Sequence, residues 1–123
     1  MLFRSSSVTI NQQYTATIYA KAGSRTNVML SFAGAGFLGY PTVSFDLVNG
    51  VITIVINSLS VTGSMQSVGN GWYRCVATAT AVATGAGYAN VILASNATTY
   101  TYTGDGTSGL YIWGAQQIGR AHV

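Results

Sequence analysis

The residues able to do proton chemistry are few, and their placement narrows what this chain can be. Its carboxylates are Asp46 and Asp105, its one imidazole is His122 and its one thiol is Cys75. A Ser-His-acid triad needs an imidazole held between nucleophile and acid. His122 instead lies in "GRAHV", one residue from the end of the sequence. Glycoside hydrolysis needs two carboxylates set at a fixed separation across the scissile bond. Asp46 precedes a turn in "FDLVNG" and Asp105 sits in "TGDGTSG", contexts in which an aspartate bonds nearby backbone N–H groups. Both therefore read as structural. A single cysteine makes neither an internal disulfide nor a cysteine metal cluster. Between Arg74 and Val76 in mid-strand, Cys75 reads as a small buried hydrophobe. The expectation is a protein that is not an enzyme, with no catalytic residue and no metal ligands.

Charge narrows the partners further. Five basic residues face two acidic ones, for a net charge of +3 with no glutamate. That balance is a shortage of acids rather than an abundance of bases. Nucleic-acid binders cluster Lys and Arg on one face to displace counterions from phosphates. Arg4, Lys21, Arg25, Arg74 and Arg120 are dispersed, so no nucleic-acid partner is expected. The opening "MLFRSSSVTI" lacks the apolar run of a signal peptide or membrane span. No membrane partner is expected, and an exported chain would be an excised domain or leave by another route. Solubility must rest on Thr, Ser, Asn and Gln, a neutral surface suited to an extracellular or virion setting.

Rings and amides are plentiful, and they are the groups that bind sugars. An aromatic face stacks on the apolar C–H surface of a pyranose while amides, hydroxyls and guanidinium groups bond its hydroxyls. On a rigid sheet such groups lose little entropy on binding. The candidates are Trp72 and Arg74 in "GNGWYRC", Tyr19 and Asn27 on earlier strands, Asn90 on a later one, and Phe37 and Tyr40 in the loop "GAGFLGYP". Trp72, at a strand start, either closes the end of a core or stacks on a ligand. Arg74, two residues on, shares its face and is positioned to lie over the indole. Trp113 alternates with Tyr111 and Ala115 and reads as core. Tyr100 and Tyr102 read equally as a stacking platform or as cross-strand packing.

The elements that must position these groups are strands. No apolar stripe of helical period is sustained. Short Val/Ile/Thr/Tyr-rich runs alternate with Gly and Asn, the pattern of an all-β sandwich. Strands are predicted over Ser5–Ile10, Tyr14–Ala22, Asn27–Ala33, Thr42–Leu47, Val51–Asn57, Val61–Val68, Trp72–Thr80, Tyr88–Ser95, Thr98–Thr103 and Gly109–Gln117. Asn49-Gly50 and Asn70-Gly71 read as tight hairpin turns, since both residue types tolerate positive φ. Pro41 opens a strand, where its missing N–H does least harm. Alternation places Val28, Leu30 and Phe32 on a core face, with Asn27, Met29 and Ser31 on a mixed outer one. Val91 and Leu93 likewise oppose Asn90 and Ile92. "GAGFLG" matches G-x-G-x-x-G, but a strand rather than a helix follows, so no dinucleotide is expected. Ten short strands favour an all-β jelly-roll β-sandwich of two antiparallel sheets over a smaller immunoglobulin-type sandwich. One domain over residues 1–123 is expected, with about 118–123 as a disordered tail.

Four blocks in order, "YTATIYAKAG", "FDLVNG", "VGNGWYRCVATATA" and "YTGDGTSGLYIWGAQ", closely resemble a domain common in phage and prophage tail, fibre and other virion-associated proteins. That domain is similar to jelly-roll carbohydrate-binding modules, and the resemblance spans roughly Gln13 to Gln117. It implies a β-sandwich and non-catalytic glycan binding, often as an appendage of a longer chain. Many such modules hold a structural calcium through an acid in the last strand. Here that stretch is Tyr111-Ile112-Trp113-Gly114 with no acid, so no cofactor is expected, leaving backbone carbonyls with Asp105 as the remaining route to a hard cation. "QIGRAHV" departs from the usual acidic continuation and reads as a truncation. The expected function is a glycan-binding module of viral origin, with a shallow groove on one sheet for a polysaccharide or oligosaccharide. The alternative is a structural virion or tail-fibre domain, assembled as a homo-oligomer or attached to a larger virion protein.

Overall fold

A computed structural model describes residues 6–56, 60–94 and 111–118, with side chains for 7–56, 60–94 and 112. Nine strands are described: β1 (Ser6–Val8), β2 (Gln13–Lys21), β3 (Asn27–Ala33), β4 (Thr42–Asp46), β5 (Val51–Ile56), β6 (Thr62–Gly69), β7 (Trp72–Thr80), β8 (Gly85–Ala94) and β9 (Tyr111–Ile118). The described residues contain no helix. The predicted strand at Thr98–Thr103, Asp105, Tyr100, Tyr102 and residues 119–123 with His122 lie outside the described residues, while residue 118, expected at the start of the tail, ends β9.

Two antiparallel sheets form, one ordered β1-β8-β3-β4-β5 and the other β6-β7-β2-β9. A single core cluster takes residues from both, which makes the architecture a β-sandwich. Its two inner faces differ in a way the sequence dictates. The five-stranded sheet contributes mostly large residues, Val28, Leu30, Phe32, Val43, Phe45 and Val91 beside Ala89, whereas the four-stranded sheet contributes mostly small ones, Ala16, Ala20, Cys75, Ala77 and Ala79 around Ile18 and Tyr14. Large side chains from one layer thus fill the space that small ones leave in the other.

Turn chemistry explains the hairpins, with one correction. Asn70 (φ 58) and Gly71 (φ 81) both take positive φ between the paired Gly69 and Trp72, the two-residue turn expected of Asn-Gly. Asn49-Gly50 does not repeat it. Asp46 pairs with Val51, so the connection is the four residues 47–50, and only Gly50 (φ 68) is left-handed. The loop is held instead by Asp46. Its Oδ1 accepts from the backbone N–H of Val48 (2.9 Å) and Asn49 (3.0 Å), and its Oδ2 from Asn49 Nδ2 (2.9 Å). Partial burial pushes this carboxyl up, but the three hydrogen bonds together hold it below its ordinary value. The Tyr73 hydroxyl approaches within 3.3 Å of the point where a side chain on Gly50 would begin, so this ring closes that end of the core.

A second correction concerns β3. Alternation gives it the expected core face, yet its outward residues are also covered: Asn27, Met29 and Ser31 are all buried. β3 is the central strand of its sheet, and Met29 lies between Ile92 and Ser44 in the pairing. Neighbouring strands shield an outward side chain that its own sequence pattern marks as exposed.

Cys75 lies fully buried on the inner face, paired with Ile18 and Met65. Burial pushes its thiol up to about 12. Since the raised value favours the neutral folded thiol, its stabilising contribution is complete below the unfolded value near 9 and declines as pH rises toward 12. Native protein at pH 8 is therefore expected to resist a thiol reagent that titrates one thiol at once in denaturant. Equal rates in both conditions would contradict this burial.

Candidate functional site

The strands distribute the seven sequence candidates over three places. Strand alternation and the β2–β7 register put Tyr19 beside Arg74 and Lys21 beside Trp72 on the outer face of the four-stranded sheet. Arg74 is flanked on its other side by Gln66 of β6, and Trp72 by Gly69. The Asn70-Gly71 turn lies against the aliphatic stem of Lys21, whose Cε is 3.4 Å from where a Gly71 side chain would begin. Tyr19, Val68, Gly69, Asn70 and Trp72 line a shallow depression of about 300 Å³. All three of Tyr19, Arg74 and Trp72 are half-buried, a state in which a ring is held by its neighbours while part of it meets solvent. One strand step along, the Thr17 hydroxyl is buried and has no hydrogen-bond partner among the described residues.

Tyr40, Asn90 and Asn27 belong to the other sheet. Asn90 and Thr42 both pair with Ser31, and Tyr40 precedes β4 by two residues. Asn27, buried at the far end of β3, has its Oδ1 3.2 Å from the Thr26 hydroxyl, which donates to it. A single groove on one sheet carrying all the candidates is therefore not what the structure builds, because Tyr40 and Asn90 lie on the sheet opposite Trp72.

Phe37 is corrected outright. Its ring is completely buried, edge-on to Tyr14 (5.9 Å, 83°) and tilted on Phe32 (5.1 Å, 54°). The loop after β3 is not free to present it. Gly36 N–H donates to Ala86 O (3.0 Å), Val82 N–H to Gly36 O (2.9 Å) and Phe37 N–H to Gly34 O (3.0 Å). These bonds tie the loop to the β7–β8 connection and turn the ring into the sandwich. Tyr40 alone of that pair stays outside, 61% exposed.

Sequence reasoning missed Gln66 and Val68, which flank Arg74 and line the Trp72 depression. The length of the Asn70-Gly71 turn alone does not find them: a bulge at Val68 shifts the β6–β7 register, so that Gln66 rather than Ser67 stands opposite Arg74. Trp113 pairs with Tyr19 through the backbone; its side chain lies outside the described residues. Among the described residues no three His, Cys, Asp or Glu side chains gather where they could hold a metal. No family model matches this chain, and no curated protein matches it in sequence.

Proposed function

We propose that the chain is a non-catalytic glycan-binding module with a jelly-roll fold, of the kind carried by phage tails and fibres in a virion or extracellular setting. The observation that carries the reading is the gathering of Trp72, Tyr19 and Arg74 on one outer face beside a rigid Asn-Gly turn. Two rings offer stacking surface, and the guanidinium and Gln66 offer directed hydrogen bonds. Strand order supports the jelly roll: β1 pairs with β8 and β2 with β7, a nesting that a rolled ribbon produces, although β3 pairs with β4 rather than closing the pattern.

Affinity electrophoresis through gels of different soluble polysaccharides tests it. At least one polysaccharide is expected to retard the protein, and Trp72→Ala to weaken retention by on the order of 2 kcal/mol, about thirtyfold, with the melting temperature kept. A protein retarded by none of them would defeat the reading.

One observation favours assembly as a second role. β5, "VITIVI", is an edge strand with no charge, and Val51 and Ile54 are exposed (53% and 40%). Among the described residues nothing pairs with its free edge, and such an edge is a template for a strand from a neighbouring subunit. A concentration-dependent oligomer in light scattering, dispersed by Ile54→Lys, is expected for this role. A monomer at all concentrations removes it.

A further inference from the structure

The five-stranded sheet carries a second depression, on the side of the molecule away from Trp72. It encloses about 280 Å³ and is lined by Ser31, Tyr40, Thr42, Ile56, Asn90 and Ile92, close to the small end of ligand sites at about 300 Å³. We infer that it is an independent binding site for a single uncharged pyranose unit, so that the module grips glycan on two opposite faces.

Backbone strain first marks the place. Tyr40 takes φ 55, a left-handed conformation that is uncommon for a bulky non-glycine residue and persists only where the surroundings enforce it. Here the Thr42 hydroxyl donates to Tyr40 O at 2.7 Å, and Tyr40 is followed by the buried Pro41, whose carbonyl accepts from Phe32 N–H at 2.9 Å. The strained backbone holds a ring 61% exposed at the rim, where it gains little by packing.

The floor and walls specify the ligand. Thr42 and Ser31 are 3% and 5% exposed, and their hydroxyl oxygens are 2.9 Å apart. Thr42 has one proton, and Tyr40 O can only accept it. Thr42 shares that proton between Tyr40 O and the Ser31 oxygen, so the Ser31 hydroxyl keeps its own proton and a lone pair for a ligand hydroxyl. Asn90 adds an amide able both to donate and to accept, the combination that sugar hydroxyls match. Ile92 and Ile56 supply aliphatic surface for ring C–H groups. No lining side chain is charged, so a carboxylate, sulfate or phosphate would be desolvated without compensation. The chemistry is that of the Trp72 face, but no residue is shared, and the two sites stand or fall separately.

Titration of the ¹⁵N-labelled full chain with glucose, galactose, mannose, N-acetylglucosamine and, for contrast, glucuronate tests the inference. At least one neutral sugar is expected to cause saturable shifts of the Ser31, Thr42, Asn90 and Ile92 amides. Asn90→Ala should weaken that binding about fivefold to tenfold, and Trp72→Ala should leave it unchanged. Tyr40→Gly should abolish it while keeping or raising the melting temperature, since glycine accepts the left-handed φ without strain. Shifts caused by glucuronate alone, shifts lost in Trp72→Ala, or no saturable shift at these amides would each overturn the assignment.

Discussion

Phe37→Ala is expected to lower stability by about 3–5 kcal/mol, the usual cost of deleting a buried aromatic ring. Against a total of roughly 5–15 kcal/mol for a domain of this kind, that is a large fraction. The site has little room to relax. The ring is wedged between Tyr14 of the four-stranded sheet and Phe32 of the five-stranded sheet, so its loss opens a cavity bridging both layers. Tyr14 is itself fastened, its hydroxyl accepting from Thr9 N–H at 2.7 Å. On the remaining side, a side chain on Gly87 would begin 2.8 Å from Phe37 Cε2, so the backbone of β8 is already against the ring. Thermal unfolding should show a midpoint lower by roughly 10–20 °C. An unchanged midpoint with loss of glycan retention would return Phe37 to the surface and undo its burial.

Gly63→Val is the second substitution with a large expected cost, at least about 1–3 kcal/mol from overpacking. Gly63 lies on the inner face of β6, paired with Ala77. A Cβ there would sit 2.6 Å from Val43 Cγ1 and 3.4 Å from Ile52 Cγ2, so the two sheets approach through the absence of a side chain. Valine must push β6 away from β4 and β5 or force Val43 off its rotamer. The proof lies in the partner. Val43→Ala alone should also destabilise the fold, by about 2 kcal/mol or more. In the double variant the transferred bulk should restore part of the loss, giving a coupling energy of about 0.5–3 kcal/mol. Additive losses would show that Gly63 and Val43 are not in contact.

How much of this was legible in the sequence depended on the range of the interaction. Asn27–Ala33 and Trp72–Thr80 are strands with the predicted bounds, because period-2 alternation and flanking turn residues act within a few positions. The Asn70-Gly71 turn was legible for the same reason, and with it the opposed faces of Trp72 and Tyr73. Asn49-Gly50 was misread because the same dipeptide can close a four-residue loop when an aspartate three residues upstream accepts its N–H groups. Nothing in "VNG" alone distinguishes the two.

By itself the sequence determined an all-β chain, the inner and outer rows of its strands, the burial of Cys75 and the scarcity of proton-transfer groups. Tertiary structure alone decided which outer faces exist and what shares them. It set Tyr19 beside Arg74, sent Tyr40 and Asn90 to the opposite sheet, covered both sides of β3 and drew Phe37 from a polar-looking loop into the core. The physical reason is that alternation orients a side chain relative to its own strand. Which strand lies alongside depends on pairing between segments as distant as β1 and β8, and that follows from how the large residues of one sheet fit the small residues of the other.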